Sequence, residues 1–459
     1  MSERSYDLVV LGGGAGGLSA ARWANWSGKR AVLINAGPPG GDCTFTGCVP
    51  SKAVIEAAER GESFKDALAG AAEAVSRIAA TENGDVLRGE GIDVIDGRGT
   101  FVEPTVVEVD GNLFSGDAVV VATGARAAVP PIPGLSEIDY LTNHNVFDLR
   151  EAPGSMAVLG GGSIGCELAQ AFAKLGVKVT LFEAAERLLA REEPDASEII
   201  AQELSNSGVG VRLGASVTEV FPVGGDGGAE LLASDGHRAH FDKVLVAVGR
   251  QPNTSDMGFE RAGIDLDERG YISHDGGLNT SAEGVFVVGD AAGSLQLTHA
   301  AVEMGRIAAL NALTRRPDRS FDTAAIPWAT FTSPEVARVG LTEAEAAASV
   351  PGARVAELPM TECDRAITAG KTAGFVKLIA APKKLTRNLG GGRLVGATIV
   401  AERAGEMIHE ASLAMHTNMF VGRLGESVHA YPTWSMAVPR AVGQFFVEID
   451  GRTARPAER

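Results

Sequence analysis

Aromatic residues make up only 5% of this 459-residue chain, and it holds 4 cysteines. So few cysteines exclude the dense disulfide framework of a small secreted domain. No apolar run approaches the ~18 residues needed to cross a bilayer, so no membrane partner is expected. The opening segment, Met1 to Tyr6, lacks the basic, apolar and small-residue order of a secretory leader and runs straight into an apolar strand, Asp7 to Leu11. A cytoplasmic location is expected. Basic residues are also short: 41 Lys and Arg face 58 Asp and Glu, a net charge of -17. That surface repels polyanions and excludes nucleic acid as a partner. No cluster of His and Cys has the spacing of a metal centre, so no resident metal is expected.

Glycine is what the chain has in excess, 58 residues. Leu8 to Leu11 reads as a strand, Gly12, Gly14 and Gly17 follow, and Ala20 to Trp26 reads as helix. This is the opening of a Rossmann unit. The first glycine allows a tight turn, the second lets a pyrophosphate approach, and the third lets helix and strand pack closely. The helix N-terminus adds N–H donors and positive potential. The same device returns at a constant offset: strand Met156 to Leu159, Gly160, Gly162 and Gly165, then a helix through Lys174. The next strands match as well, Ala31 to Ile34 ending at Asn35 and Lys178 to Phe182 ending at Glu183. One such turn is weak evidence in a glycine-rich chain, whereas two in full register predict two nucleotide sites. A carboxylate at the second strand end binds ribose hydroxyls and repels a 2′-phosphate. Glu183 therefore favours NADH over NADPH, although Arg187, four residues on, argues the other way.

Between the copies lies Gly40-Gly41-Asp42-Cys43-Thr44-Phe45-Thr46-Gly47-Cys48-Val49-Pro50-Ser51-Lys52, ahead of a helical run expected from about Ser51 to Arg60. Two thiols this close can close and reopen a disulfide, and Lys52 can stabilise a thiolate. The other readings are two inert thiols or half of a zinc site. Zinc needs two more ligands, and Cys166 and Cys363 are isolated in the sequence. Those two cysteines read as packing thiols, and Ala72 to Ala80 as an amphipathic helix with a core face.

At this point the chain resembles the class I pyridine nucleotide-disulfide oxidoreductases, the family of lipoamide dehydrogenase, glutathione reductase and mercuric reductase. The glycine turns, the Cys43 motif, Ala122-Thr123-Gly124, the GRQPNT segment Gly249 to Thr254, and TSAEGVFVVGD from Thr280 to Asp290 stand in the family's order. The resemblance implies an α/β fold with two Rossmann-like nucleotide-binding domains and a C-terminal α+β dimerisation domain. An FAD domain would span 1–150 and return at 281–325. An NAD domain would span 151–280, and a dimerisation domain 326–459, with an antiparallel sheet including Phe375 to Ile379 and Leu394 to Val400. FAD would be held by Gly12, Gly14, Gly17, Asn35, Gly41, Lys52, Gly99, Thr123, Gly124, Asp290 and a helix starting near His299. NAD would be held by Gly160, Gly162, Gly165, Glu183, Gly249 and Arg250. Cys48 would face the flavin, Cys43 the substrate, and Lys52 would pair with Glu167. The active site would be shared across a homodimer.

The chain departs from the family at one place. The disulfide reductases carry His-x-His-Pro-Thr with a glutamate three residues later. Here the segment is His429-Ala430-Tyr431-Pro432-Thr433-Trp434-Ser435-Met436. Tyr431 takes the base position and Met436 the orienting one. Imidazole titrates near neutrality, whereas a free phenol, with pKa near ~10, is a poor base there. Mercuric reductase also has tyrosine at this position, but this chain ends from Gly451 to Arg459 without that enzyme's C-terminal cysteine pair. Catalytic candidates are Cys43, Cys48, Lys52, Glu167, Tyr431 and His429. The expected function is NADH-dependent reduction of a disulfide-type substrate through Cys43 and Cys48. The alternatives are reduction of soft metal ions or quinones, and a slow-turnover FAD- and NADH-binding redox sensor.

Overall fold

A computed structural model describes residues 3–224, 228–314 and 319–458; Met1, Ser2 and Arg459 of the terminal segments read above lie outside the described residues. The chain divides into two compact units. The first holds Met1–Pro130, Leu141–Ala152 and Val248–Asp322; the second holds Pro131–Tyr140, Pro153–Ala247 and Thr323–Arg459.

The first unit is built on a 7-stranded sheet. Glu3–Leu11 pairs in parallel with Ala31–Asn35 on one side and Asn112–Val121 on the other, and Asp93–Asp96 and Val285–Val287 extend the parallel part. Leu8, Val9, Val10, Val32, Leu33 and Val119 to Val121 are completely buried. Such near-continuous apolar strands are what a sheet covered on both faces requires. Helices Ala15–Trp26 and Thr298–Leu313 cover it, joined by a bond from Ser19 Oγ to Val302 O at 2.7 Å.

The second unit repeats the nucleotide-binding pattern on a smaller scale. Its 4-stranded parallel sheet runs in the order Gly210–Arg212, Lys178–Phe182, Ser155–Leu159, Lys243–Val246. The same unit contains a 6-stranded antiparallel sheet in which Phe375–Ala381 and Arg393–Ala401 are adjacent, at the two places expected for it.

Three expectations shift. Residues 248–280 belong to the first unit, not the second. The reason is strand pairing: Arg250–Pro252, inside the GRQPNT segment, pairs antiparallel with Ala125–Ala127, just after Ala122-Thr123-Gly124. The helix expected from Ser51 begins at Cys48 and runs to Glu59, and Cys43 lies within its own short helix, Gly41–Phe45. Pro50 falls in the first turn of the longer helix, where no backbone donor is lost. The helix expected at Ala72 to Ala80 is the end of Phe64–Ala79, which starts at a Ser63 cap, and its buried face is Phe64, Ala67, Leu68 and Ala71.

Candidate active site

The two glycine turns have the same geometry. Gly12 has φ +107° and Gly160 φ +109°. A Cβ on Gly17 would lie 1.9 Å from Gly12 O, and one on Gly165 would lie 1.9 Å from Gly160 O, so any side chain here would push the helix off the strand. Neither following helix has a side-chain cap or an acidic residue in its first turn, which leaves both N-termini open to an anion. A Cβ on Gly14 or Gly162 would meet nothing within 4 Å. In both copies the residue ending the second strand turns back to the second residue of the turn. Asn35 Oδ1 accepts from Gly13 N at 2.8 Å, and Glu183 Oε2 from Gly161 N at 2.5 Å.

The cysteine loop is seated against the first turn. Gly40 N donates to Gly13 O at 2.8 Å, and a Cβ on Gly41, at φ +62°, would lie 2.7 Å from Gly14 Cα. Cys48 is the first residue of its helix, and its Sγ lies 3.4 Å from Thr298 Oγ1, in the first turn of the helix expected from His299. Thr298 was missed in the sequence; its only signal was a hydroxyl residue at a helix start. A hydrogen bond to Cys48 and then burial hold the Cys43 thiol well above the ordinary thiol range. The raised Cys43 thiol favours negative charge in the reduced pair on Cys48, next to the helix N-terminus. Lys52 lies one turn further along the same helix and is half-buried.

Behind the loop, Arg250 joins two carboxylates. Its Nη2 lies 2.8 Å from Asp42 Oδ2 and its Nε 3.0 Å from Asp290 Oδ2, the second contact lacking hydrogen-bond geometry. Burial pushes the Asp290 carboxyl up, and Arg250 opposes the shift. Arg250, expected with the NAD residues, thus sits among those expected to hold FAD. Asn253 N donates to Gly124 O at 3.0 Å and Asn253 Nδ2 to Thr123 O at 3.1 Å, while Thr123 Oγ1 is buried with no partner. Gly99 packs against Leu11 and Val107. These residues suit a flavin nucleotide: an open helix N-terminus for pyrophosphate, a buried hydroxyl without a partner, and a carboxylate for polyol hydroxyls.

In the second unit, Arg187 is tied within its own loop. Its guanidinium donates to Glu192 O at 2.8 Å and to Ala190 O at 2.7 Å. Glu192 is buried and held in turn by Arg338 Nε at 2.9 Å and Trp328 Nε1 at 2.8 Å. Glu167 is also buried, and its Oε1 accepts from Phe331 N at 2.9 Å. His429 is held by both ring nitrogens: Nδ1 is 2.9 Å from Ser427 O, and Nε2 is 2.8 Å from Glu410 Oε2. Neither nitrogen is left facing outward. Tyr431 is 70% exposed, and its hydroxyl donates to Asp364 Oδ2 at 2.9 Å. That bond, and then the charge of Asp364, push the phenol above its ordinary range. Met436 lines a cavity of about 40 Å³ with Cys363, Asp364, Tyr431 and Arg440. Among the described residues no group of three or more His, Cys, Asp and Glu could hold a metal ion, and no helix is long and apolar enough to cross a membrane.

Comparison with known proteins agrees with this geometry. Residues 6–305 match the family Pyridine nucleotide-disulphide oxidoreductase, and residues 326–442 match its dimerisation domain. The chain is 32% identical to a mercuric reductase of Staphylococcus aureus, over 97% of this chain and 84% of that one. It is 31% identical to a dihydrolipoyl dehydrogenase of Chlamydia muridarum, over 94% of this chain and 95% of that one. Among solved structures, the Cu(II) complex of the HOCl-induced flavoprotein disulfide reductase RclA from Escherichia coli is similar at a TM-score of 0.87 and 30% identity, over 96% of this chain and 99% of that chain.

Proposed function

Because the chain belongs to the pyridine nucleotide-disulphide oxidoreductase family, we propose that it is an NADH-dependent reductase whose Cys43–Cys48 pair passes electrons to a soft or borderline metal cation. The observation that carries this choice of acceptor is Tyr431. The position that would otherwise hold an acid-base imidazole holds a phenol whose proton is committed to Asp364 at 2.9 Å. Thiol-disulfide interchange needs a group that takes and returns a proton near neutrality. Reducing a metal cation needs thiolate ligands and no proton shuttle. The resemblance to mercuric reductases and to a Cu(II)-complexed reductase supports the same acceptor class.

FAD, when bound, supplies the acceptance of hydride from the nicotinamide and its delivery as an electron pair. Gly12, Gly14 and Gly17 would hold its pyrophosphate, with Thr123 and Asp290 as polar partners and Gly41, Gly124 and Lys52 as further holding residues. Gly160, Gly162 and Gly165 hold the nicotinamide nucleotide. Glu183 would bond its ribose, while the tethered Arg187 would leave a 2′-phosphate without a counter-charge, hence NADH. Lys52 orients the flavin side. Cys48, at its helix N-terminus beside Thr298, takes the electrons, and Cys43 meets the acceptor. Opening the disulfide takes up two electrons and two protons. Closing it returns both electrons, to two cupric ions leaving as cuprous or to one mercuric ion leaving as the element, and releases both protons. The working unit is a homodimer formed through residues 326–459, with Tyr431 reaching the partner's cysteines. A disulfide acceptor is the second reading, favoured by the description of the Escherichia coli neighbour as a disulfide reductase.

The test is steady-state NADH oxidation with cupric ions, mercuric ions, lipoamide and a quinone, by wild type and Cys43→Ser. The expected result is cupric or mercuric reduction that falls by roughly a hundredfold or more without the interchange thiol. Efficient lipoamide turnover with no metal reduction would replace the first reading by the second. Equal quinone turnover in both proteins would refute both.

A further inference from the structure

Tyr431 lies on a connecting segment and is widely exposed, yet its hydroxyl has one direction. The acceptor is Asp364, first residue of the short helix Asp364–Ala369, 67 positions earlier in the chain. The other charged groups facing the pair are engaged elsewhere. Arg365 stacks on Trp434 at 5.7 Å and donates to Thr368 Oγ1 at 3.3 Å. Arg440, on helix Ala437–Gly443, pairs with Asp450 at 2.6 Å and donates to Glu362 O. Asp364 Oδ2 is therefore kept for the Tyr431 hydroxyl.

We infer that Asp364 is the positioning residue of Tyr431, holding its hydroxyl as a neutral oxygen donor whose lone pairs face an incoming cation. The inference rests on the reading of the acceptor as a metal ion and adds the group that makes the tyrosine suited to it. A phenol that donates to a carboxylate is polarised, so its oxygen becomes a better ligand and its proton is harder to remove. The pair carries one negative charge, which attracts cations and repels anionic disulfides. A carboxylate thus stands behind the residue at the family's base position, supplied by Asp364 from a distant element and not from position 436.

The experiment uses the FAD-loaded dimer as wild type, Asp364→Asn, Asp364→Glu and Tyr431→Phe. The chain has 4 tyrosines, so subtracting the ultraviolet titration of Tyr431→Phe isolates Tyr431. Removing the charge should lower the midpoint of that titration, and Asp364→Glu should restore it. The KM for cupric ion should rise roughly threefold to fivefold in Asp364→Asn at an unchanged kcat, the size expected for an exposed charged pair. An unchanged midpoint together with an unchanged KM would overturn the inference. A wild type that reduces no metal ion would overturn the reading of the acceptor alone, and the tyrosine titration would still decide whether Asp364 holds Tyr431.

Discussion

Cys43 and Cys48 are five residues apart, yet their surroundings separate their tasks. Cys48 has the helix N-terminus and Thr298 Oγ1 at 3.4 Å, whereas the neighbouring Cys48 and then burial push the Cys43 thiol up. Cys48→Ser removes that neighbouring sulfur. Alkylation of Cys43 by iodoacetamide at neutral pH should then be faster than in the reduced wild type, because a raised thiol pKa is being relieved. Slower alkylation would place the charge on Cys43. At the second glycine turn, Glu183 and Arg187 make opposite predictions, and two variants separate them. Glu183→Ala should cost roughly tenfold or more in the NADH over NADPH ratio of kcat/KM, as expected for a lost bond to a charged acceptor. Arg187→Ala should leave that ratio within about twofold, because its guanidinium already serves Glu192 O and Ala190 O. A large fall in NADPH use on losing Arg187 would show that the tether releases it.

At the scale of elements, the glycine turns were legible because their constraint is local. A tight turn, a close helix and a strand end are all written within about 25 residues, twice. The strand Arg250–Pro252 was not legible, because its partner Ala125–Ala127 lies more than a hundred residues away and three residues carry no periodicity. Nor were the bonds from Thr298 to Cys48 and from Asp364 to Tyr431, which join segments with no shared pattern. The helix Ala404–His416 shows another such long-range tie. Its second residue, Gly405, donates from N to Glu335 Oε2 at 2.7 Å, and burial first of all pushes that carboxyl from 4.5 up to about 7. A raised carboxyl binds its proton more tightly when folded. Its contribution to stability is complete below about 4.5 and is lost as the pH rises through about 7. Glu335→Gln keeps an acceptor for Gly405 and has nothing to titrate. Melting curves at pH 5 and pH 8 should therefore differ less for this variant than for wild type. An unchanged pH dependence would place the shift elsewhere. Lys377, in the strand Phe375–Ala381, is almost wholly buried beside Glu193 at 3.7 Å, Glu343 and Glu357 at 3.4 Å, and Asp195 at 2.9 Å. Lys377→Ala leaves buried carboxylates uncompensated and should cost roughly 3–5 kcal/mol in denaturant unfolding.

At the scale of the whole molecule, the proposed acceptor depends on the segment around Tyr431 and on the dimer it would serve. Position 431 holds tyrosine, and both ring nitrogens of the nearby His429 are engaged, with Ser427 and Glu410. Leu413 is 57% exposed and Val428 fully exposed, an apolar surface at the Tyr431 end of the dimerisation domain. The paired change Leu413→Glu with Val428→Glu should shift the protein to monomers on size exclusion. It should remove metal reduction while sparing reduction of the bound flavin by NADH. Metal reduction by a stable monomer would mean that one chain completes the site. The central claim is that flavin and cysteine pair form one electron path, and anaerobic titration with NADH tests it most directly. The account predicts that wild type takes up about two hydride equivalents per flavin and Cys43→Ser about one, because only the wild type has a disulfide to open. An uptake of about one equivalent in both proteins would contradict it, since the cysteines would then stand outside the path.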